Sequence, residues 1–296
     1  MMEGANLTEL PDGFRFGFRA MASPCEVHLD TDDRDLALCF GGMVETEALR
    51  IERKFSRYRD DSIVARINGS NGGPVEVDEE TAALIDFAAQ FHDLSGGRFD
   101  VTSGVLRRVW RFDGSDNVPP AAAVRSVLPF VGWEKVTWRR PDIALRSGME
   151  IDLGGIGKEY AVDRCVVMIQ ALSPVPALVN FGGDLRVSGP RLNGRRWRVA
   201  IESIDAANAQ EGFLEISNGG LTTSGDARRF LLKDGVRYSH ILDPRTGWPV
   251  KNPPRSVTVA APTCIEAGLL STLAMLYGRS AERFLEREGV QAWCVR

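Results

Sequence analysis

The sequence predicts an α+β fold, mainly antiparallel sheet with packed helices, and three observations carry that expectation. Strand-like segments outnumber helical ones after residue 130. Several of those strands are joined by turns too short to hold a crossover helix, which makes neighbours antiparallel. Helical periodicity is concentrated early and at the end of the chain instead of alternating with strands. With 296 residues, 44% of them hydrophobic, the chain can bury a substantial core. It shows no repeat, low-complexity tract or clear linker. We therefore expect a loosely structured lead-in over residues 1–20 and a single domain over 21–296, with room for two lobes meeting near a glycine turn.

In chain order, residues 25–30 alternate apolar and polar side chains, as a half-buried strand does. From 33 to 55, Leu36, Phe40, Met43, Val44, Ile51 and Phe55 recur at near-helical spacing despite Gly41-Gly42. A polar loop over 56–62 precedes a short helix at Ile63–Asn68 and a glycine-rich turn. The next helix, 78–94, opens with acidic residues that suit the helix dipole and stops at Ser95-Gly96-Gly97. Residues 98–104 lead into a short helix carrying Val105, Leu106 and Trp110. A connection with a short helical piece fills 119–131, and two short strands flank Arg140-Pro141-Asp142. Residues 149–172 read as strand, glycine turn and helix. Strands follow at 177–181, 185–188, 197–202 and 213–216, with Gly182-Gly183-Asp184 as a turn. Thr222 to Gly225 reads as a hydroxyl-rich turn. Residues 228–232 and 236–241 form a hairpin around Lys233-Asp234-Gly235, the Asp-Gly pair being a strong hairpin signal. After a loop punctuated by Pro and Gly come strand 256–261, helices 264–277 and 280–288, and strand 291–295.

The balance of 36 basic against 40 acidic residues, net −4, gives no electrostatic reason for binding nucleic acid or an anionic membrane. No run approaches the roughly 20 apolar residues of a membrane helix, and the first residues lack the apolar core of a signal peptide. Five cysteines, an odd number with no CxxC, suggest neither a disulfide framework nor a zinc site. A cytoplasmic, reducing location with small-molecule or protein partners is expected.

Two stretches carry most of the candidate chemistry. In Asp152-Leu-Gly-Gly-Ile-Gly-Lys158, glycines free backbone amides to approach a ligand, and Lys158 can meet a phosphate as a point charge. The spacing fits neither a P-loop nor GxGxxG; the bland reading is a helix-entry turn whose glycines permit close packing. The second stretch is 221–250, where a strand delivers His240 into a rigid loop beside Ser239, Asp243 and Arg245. A structural histidine is the alternative there. No GxSxG elbow accompanies Ser239, which points to the opposite face of its strand from His240, so a Ser/His/Asp hydrolase is a poor fit. Taken alone, Tyr58 is a surface aromatic or a stacking platform, Asp100 a helix cap or a ligand contact, and Asn180 to Asp184 a structural turn.

In this order the segments MASPCEV, FSRYRDDS, GGRFDVTSG, DLGGIGKEYAVD, NFGGD, TSGDARRF, YSHILDPRTGWPV and SVTVAAPTCIEAGLLSTLAMLYG, from about Met21 to Gly278, resemble the ApbE family of FAD:protein FMN transferases. The resemblance implies that FAD is split at its pyrophosphate and FMN is passed to a Thr or Ser hydroxyl of an acceptor protein, with release of AMP and with Mg²⁺ as cofactor. It further implies FAD contacts from Met21, Tyr58, Arg98, Phe99, Asp100, Asp152, Lys158 and Ile241, with Tyr58 and Phe99 able to flank flat rings. His240 would orient or deprotonate the incoming hydroxyl, and Thr272 and a main-chain carbonyl near Gly155 would be metal ligands. One departure stands out: Gly268 occupies the place of the family's metal-binding Asp, four residues before Thr272. Glu266, about 200° around a helix from Gly268, faces away. A carboxylate from elsewhere, such as Asp226, Asp243 or Asp184, would fill in where the fold brings it close; otherwise the metal would rest on FAD phosphates, and the alternative to a transferase is a non-catalytic or weakly hydrolytic FAD-binding protein.

Overall fold

The computed structural model describes residues 5–201, 212–226 and 229–296. It bears out the α+β expectation. Eight strands form one sheet in which chain order and spatial order coincide: β1 (Asn6–Leu10), β2 (Gly13–Ala20), β3 (Ser23–Leu29), β4 (Ala177–Phe181), β5 (Asp184–Val187), β6 (Gly219–Gly225), β7 (Ser256–Ala261) and β8 (Gln291–Val295). Every neighbouring pair is antiparallel. The helices are α1 (Arg34–Phe55), α2 (Ile63–Asn68), α3 (Glu79–Leu94), α4 (Ala121–Val127), α5 (Gly157–Leu172), α6 (Cys264–Tyr277) and α7 (Ala281–Glu288).

Three sequence expectations are corrected. Residues 6–20 are not a loose lead-in but strands β1 and β2, with Leu10 opposite Gly13 across a turn at Pro11-Asp12. The cause is a period of two: Phe14, Phe16, Phe18 and Ala20 all face the core, while the residues between them do not. The hydroxyl-rich "turn" at 222–225 is the end of central strand β6. Its hydroxyls find partners across the sheet, Thr223 Oγ1 lying 2.8 Å from Thr258 Oγ1, and on α6, Ser224 Oγ lying 2.8 Å from Ser271 Oγ. Residues 149–153 join no sheet. The Asn68 side chain takes the part of a neighbouring strand, accepting from Ile151 N–H at 2.7 Å and donating to Ile151 C=O at 3.0 Å, while Asp152 N–H donates to Val101 C=O. The strand expected over 197–202 is observed over Trp197–Ile201, and Glu202, like Arg228 of the expected hairpin, lies outside the described residues.

Helices α1, α5 and α6 pack side by side on one face of the sheet, α1 on β2, α5 on β4 and β5, and α6 on β6 and β7. Gly41 permits the first of these approaches, since a Cβ there would lie 2.2 Å from Phe16 Cγ. The opposite face is covered by the hairpin Trp197–Ile201 and Gly212–Ile216, which closes Trp197 and Ile216 over Leu178, Leu185, Val187 and Leu221. Burial on both faces explains why β4 opens with the unbroken apolar run Ala177-Leu178-Val179. A separate small core joins Val105, Leu106 and Trp110 to α4 and to Leu231 of the hairpin Phe230–Lys233 and Val236–Ser239.

Candidate active site

The entry to α5 is where the glycine motifs meet. After Leu153, whose carbonyl accepts from both Ile156 and Gly157 N–H, the chain turns into the helix and carries Lys158 and Glu159 in its first turn. Lys158 Nζ forms an ion pair with Asp184, which ends the turn between β4 and β5. That turn needs glycine at 182: φ is +63°, and a Cβ would lie 2.8 Å from Ser23 Oγ and 3.8 Å from Lys158 Nζ. Met21, in a left-handed conformation just before β3, therefore sits at the same corner.

Tyr58 and Asp152 are joined by Arg57, whose guanidinium donates to Asp152 Oδ2 at 2.5 Å and to Tyr58 Oη at 2.7 Å and lies over the Tyr58 ring. Tyr58 is 76% exposed, so a broad ring face is open to a ligand. Phe99 is placed differently: it is buried, packs edge-on against Phe91 with centroids 5.4 Å apart, and supports Gly155, where a Cβ would lie 3.4 Å from its ring. Its side chain underpins the loop and does not offer a free face. Asp100 is also buried; one oxygen accepts from Thr102 N–H and Oγ1–H, the other from Trp133 N–H. Arg98 stacks over Tyr277 at 4.4 Å, and Ile241 packs against the main core.

His240 lies half-buried at the end of the hairpin. Its Nδ1 is 3.2 Å from the Arg229 carbonyl, and the Phe112 ring stands edge-on at 6.3 Å. Burial, reinforced by the Arg229 charge, holds its pKa below the ordinary imidazole value. The neighbours that drew attention to it in the sequence are engaged elsewhere: Asp243 with Arg245 at 2.7 Å, and Ser239 Oγ as acceptor from Ile241 N–H.

Thr272 approaches Ser224 Oγ at 3.2 Å, and one turn earlier on α6 Gly268 faces α5. What it faces is Glu159: a Cβ on Gly268 would lie 2.7 Å from Glu159 Cγ and 3.1 Å from Oε1. Glu159 is 9% exposed, and its Oε2 has no hydrogen-bond partner among the described residues. Burial, with Asp184 adding repulsion, pushes its pKa up to about 8. Burial by itself would lower Lys158, but the Asp184 and Glu159 carboxylates outweigh it and hold the ammonium above its usual value. Asp184 is pushed up by burial against the pull of Lys158. Of the carboxylates expected to stand in for a residue at 268, Asp226 is held by Arg237 and Arg255, Asp243 by Arg245 and Asp184 by Lys158. Glu159 is not among them, and nothing near it in the sequence marks it.

Two other features do not belong to this corner. His92, Asp100 and Glu134 bring ligand atoms within 4.8 Å of one another, but Asp100 is already committed to capping. An open cavity of 770 Å³ beside α1 and α2, lined by Arg50, Arg53, Lys54 and Arg66 and by Asp60, Asp61 and Ser62 of the segment FSRYRDDS, contains none of the candidate FAD-contact or metal-binding residues.

Comparison with known proteins places the fold and the family. The structure superposes on the ApbE protein of Thermotoga maritima with a TM-score of 0.85 at 29% identity, covering 98% of this chain and 94% of that one. On the apo flavinyl transferase ApbE of Pseudomonas stutzeri the TM-score is 0.82 at 27% identity, covering 100% and 93%. Among sequences, the FAD:protein FMN transferase of Vibrio cholerae is 33% identical over 235 residues, 77% of this chain and 70% of that protein. That of Treponema pallidum is 32% identical over 263 residues, 81% and 72%. Residues 21–294 match the ApbE family as a whole. The chain belongs to the ApbE family of transferases.

Proposed function

We propose that this protein cleaves FAD at the pyrophosphate and attaches FMN through a phosphoester to a Thr or Ser of an acceptor protein, releasing AMP. The observation that carries the reading is the entry to α5, where the helix N-terminus carries Lys158 and the glycine segment before it, through Asp152, holds Arg57 against the exposed Tyr58 ring. Such a terminus attracts an anion, and Tyr58, propped by Arg57, offers a surface for a flat ring. Asp152, Met21, Arg98 and Ile241 complete the proposed FAD-binding side chains. Phe99 and Asp100 act by holding the loop that presents Gly155.

In this reaction the acceptor hydroxyl oxygen bonds to the flavin-side phosphorus as that phosphorus separates from the bridging oxygen, which leaves with AMP. Little covalent chemistry falls to the protein, whose task is positioning and charge. Lys158 stabilises charge on the phosphates, and its pairing with Asp184 fixes where it points. His240, kept neutral at pH 7 by its lowered pKa, accepts the hydroxyl proton. The donors near α5 and α6 suit a divalent cation: the Thr272 hydroxyl, a main-chain carbonyl at Gly155, and a buried carboxylate oxygen with no partner among the described residues. A bound Mg²⁺ would supply charge neutralisation across the phosphate oxygens. That reading favours transfer over a merely FAD-binding role. A reducing, cytoplasmic setting belongs to the same proposal, and the five cysteines are free thiols. Among the described residues no helix is long and apolar enough to cross a membrane.

The test is to mix the protein with FAD, Mg²⁺ and an acceptor carrying a Thr flavinylation motif. AMP release matched by a covalently fluorescent acceptor is expected, and intact FAD bound without AMP release would refute the proposal. For His240, the expected result of His240→Ala is slow transfer at normal FAD affinity; an unchanged rate would remove it from the mechanism.

A further inference from the structure

The departure at Gly268 and the crowding at Glu159 are two sides of one arrangement. We propose that Glu159, from the first turn of α5, supplies the carboxylate ligand for the divalent cation that position 268 on α6 lacks. The inference rests on the flavin-transfer reading, because that reading brings the cation and the pyrophosphate to this corner.

Three observations support it. First, the places coincide. With Glu159 as it stands, any side chain at 268 would begin 2.7 Å from Glu159 Cγ, so the two positions compete for one volume. Secondly, Glu159 is the carboxylate of this corner with an oxygen left over. Asp163 accepts from Cys264 N–H at 2.8 Å, from Ile265 N–H at 2.9 Å and from Arg186, and Asp184 pairs with Lys158. Glu159 Oε2 is buried with no partner among the described residues, although a buried carboxylate oxygen is costly unless something satisfies it. Thirdly, the remaining donors are in register. Gly155 lies in the turn that leads into α5, Glu159 in the first turn of that helix, and Thr272 one turn after Gly268 on α6, which packs against α5. Mg²⁺ sites are built from one or two carboxylates with phosphate oxygens and water. Glu159 provides that carboxylate from the facing helix.

The test uses Mn²⁺ as a paramagnetic probe in the presence of FAD, with FAD affinity measured separately in EDTA by flavin fluorescence. Glu159→Gln keeps the shape and removes the charge; it is expected to weaken Mn²⁺ binding at least about tenfold, the loss that even outer partners of a metal site produce, with FAD affinity in EDTA unchanged. The paired variant Glu159→Gly with Gly268→Asp vacates the shared volume and returns a carboxylate to α6, so it is expected to restore Mn²⁺ binding to within a few-fold of wild type. Mn²⁺ affinity in Glu159→Gln within twofold of wild type, with FAD still bound, would overturn this inference and leave the flavin reading standing. Failure of the wild-type protein to bind FAD would overturn both.

Discussion

Replacing Gly268 by alanine puts the packing between α5 and α6 to a test that needs neither metal nor substrate. The new Cβ would lie 2.7 Å from Glu159 Cγ, 3.1 Å from Oε1 and 3.2 Å from Cδ. Glu159 is buried, so relief requires moving the root of a confined side chain, and overpacking of this kind costs about 1–3 kcal/mol. Against it stands the gain from removing a glycine inside a helix, about 1 kcal/mol. Gly268→Ala in the wild-type background should therefore be neutral to about 2 kcal/mol destabilising. In a Glu159→Ala background the obstacle is gone and only the helix gain remains, so the same substitution should stabilise by about 1 kcal/mol. The two effects differ by a coupling of about 1–3 kcal/mol. Urea unfolding of the four proteins in EDTA, at a pH near 6, measures it directly. Equal effects of Gly268→Ala in both backgrounds, within the roughly 0.5 kcal/mol expected of independent sites, would show that Glu159 does not fill the space in front of Gly268.

Three further outcomes follow from the same geometry. In the metal-free protein Glu159 keeps its proton up to about pH 8 instead of the ordinary 4.5, so between those values the folded state binds more protons than the unfolded one. Its contribution to stability is complete below about pH 4.5 and is lost as pH rises towards 8, by at most about 1.4 kcal/mol per unit. Glu159→Gln should flatten that decline in urea midpoints measured with EDTA, and a slope identical to wild type would refute the assignment. Lys158→Gln should lower the FMN transfer rate about a hundredfold or more, as loss of a preorganised charge-stabilising donor does; a rate within threefold of wild type would place Lys158 outside the reaction. Gly41→Ala should cost about 1–3 kcal/mol, since the added carbon would lie 2.2–2.7 Å from Phe16 atoms. Urea unfolding reads this loss, and unchanged stability would contradict the close contact of α1 with β2.

Much of the fold was legible because its elements obey local rules. Helix α6 has the ends expected for 264–277; Thr263 caps its start and apolar residues run through it. The strand pair β7 and β8 and the hairpin at Lys233-Asp234-Gly235 were also legible, the latter from its turn chemistry. The misses have one cause: backbone partners that are distant in sequence. Residues 149–153 look like a strand and are extended, yet their neighbour is the amide of Asn68, 83 residues away. Residues 222–225 look like a turn by composition, and only the strands and helix beside them reveal where the hydroxyls go. β2 was the exception, since its alternating phenylalanines were in plain view.

The same distinction separates what was readable at the site from what was not. Lys158 and the glycines around it are informative in sequence because one short segment contains both the helix entry and the cation. His240 looked richly partnered because Ser239, Asp243 and Arg245 are close along the chain, but in space these side chains satisfy one another or the local backbone. Glu159 shows the reverse. A glutamate in the first turn of a helix is an ordinary response to the helix dipole, and nothing nearby in the chain distinguishes it. Its meaning comes from Gly268, more than a hundred residues later, whose missing side chain leaves the volume that Glu159 enters. A glycine where a carboxylate is expected thus need not signal a lost site. On the proposal made above, the facing helix places an unsatisfied carboxylate in the vacated space, so that the ligand type is kept and only the residue that carries it changes.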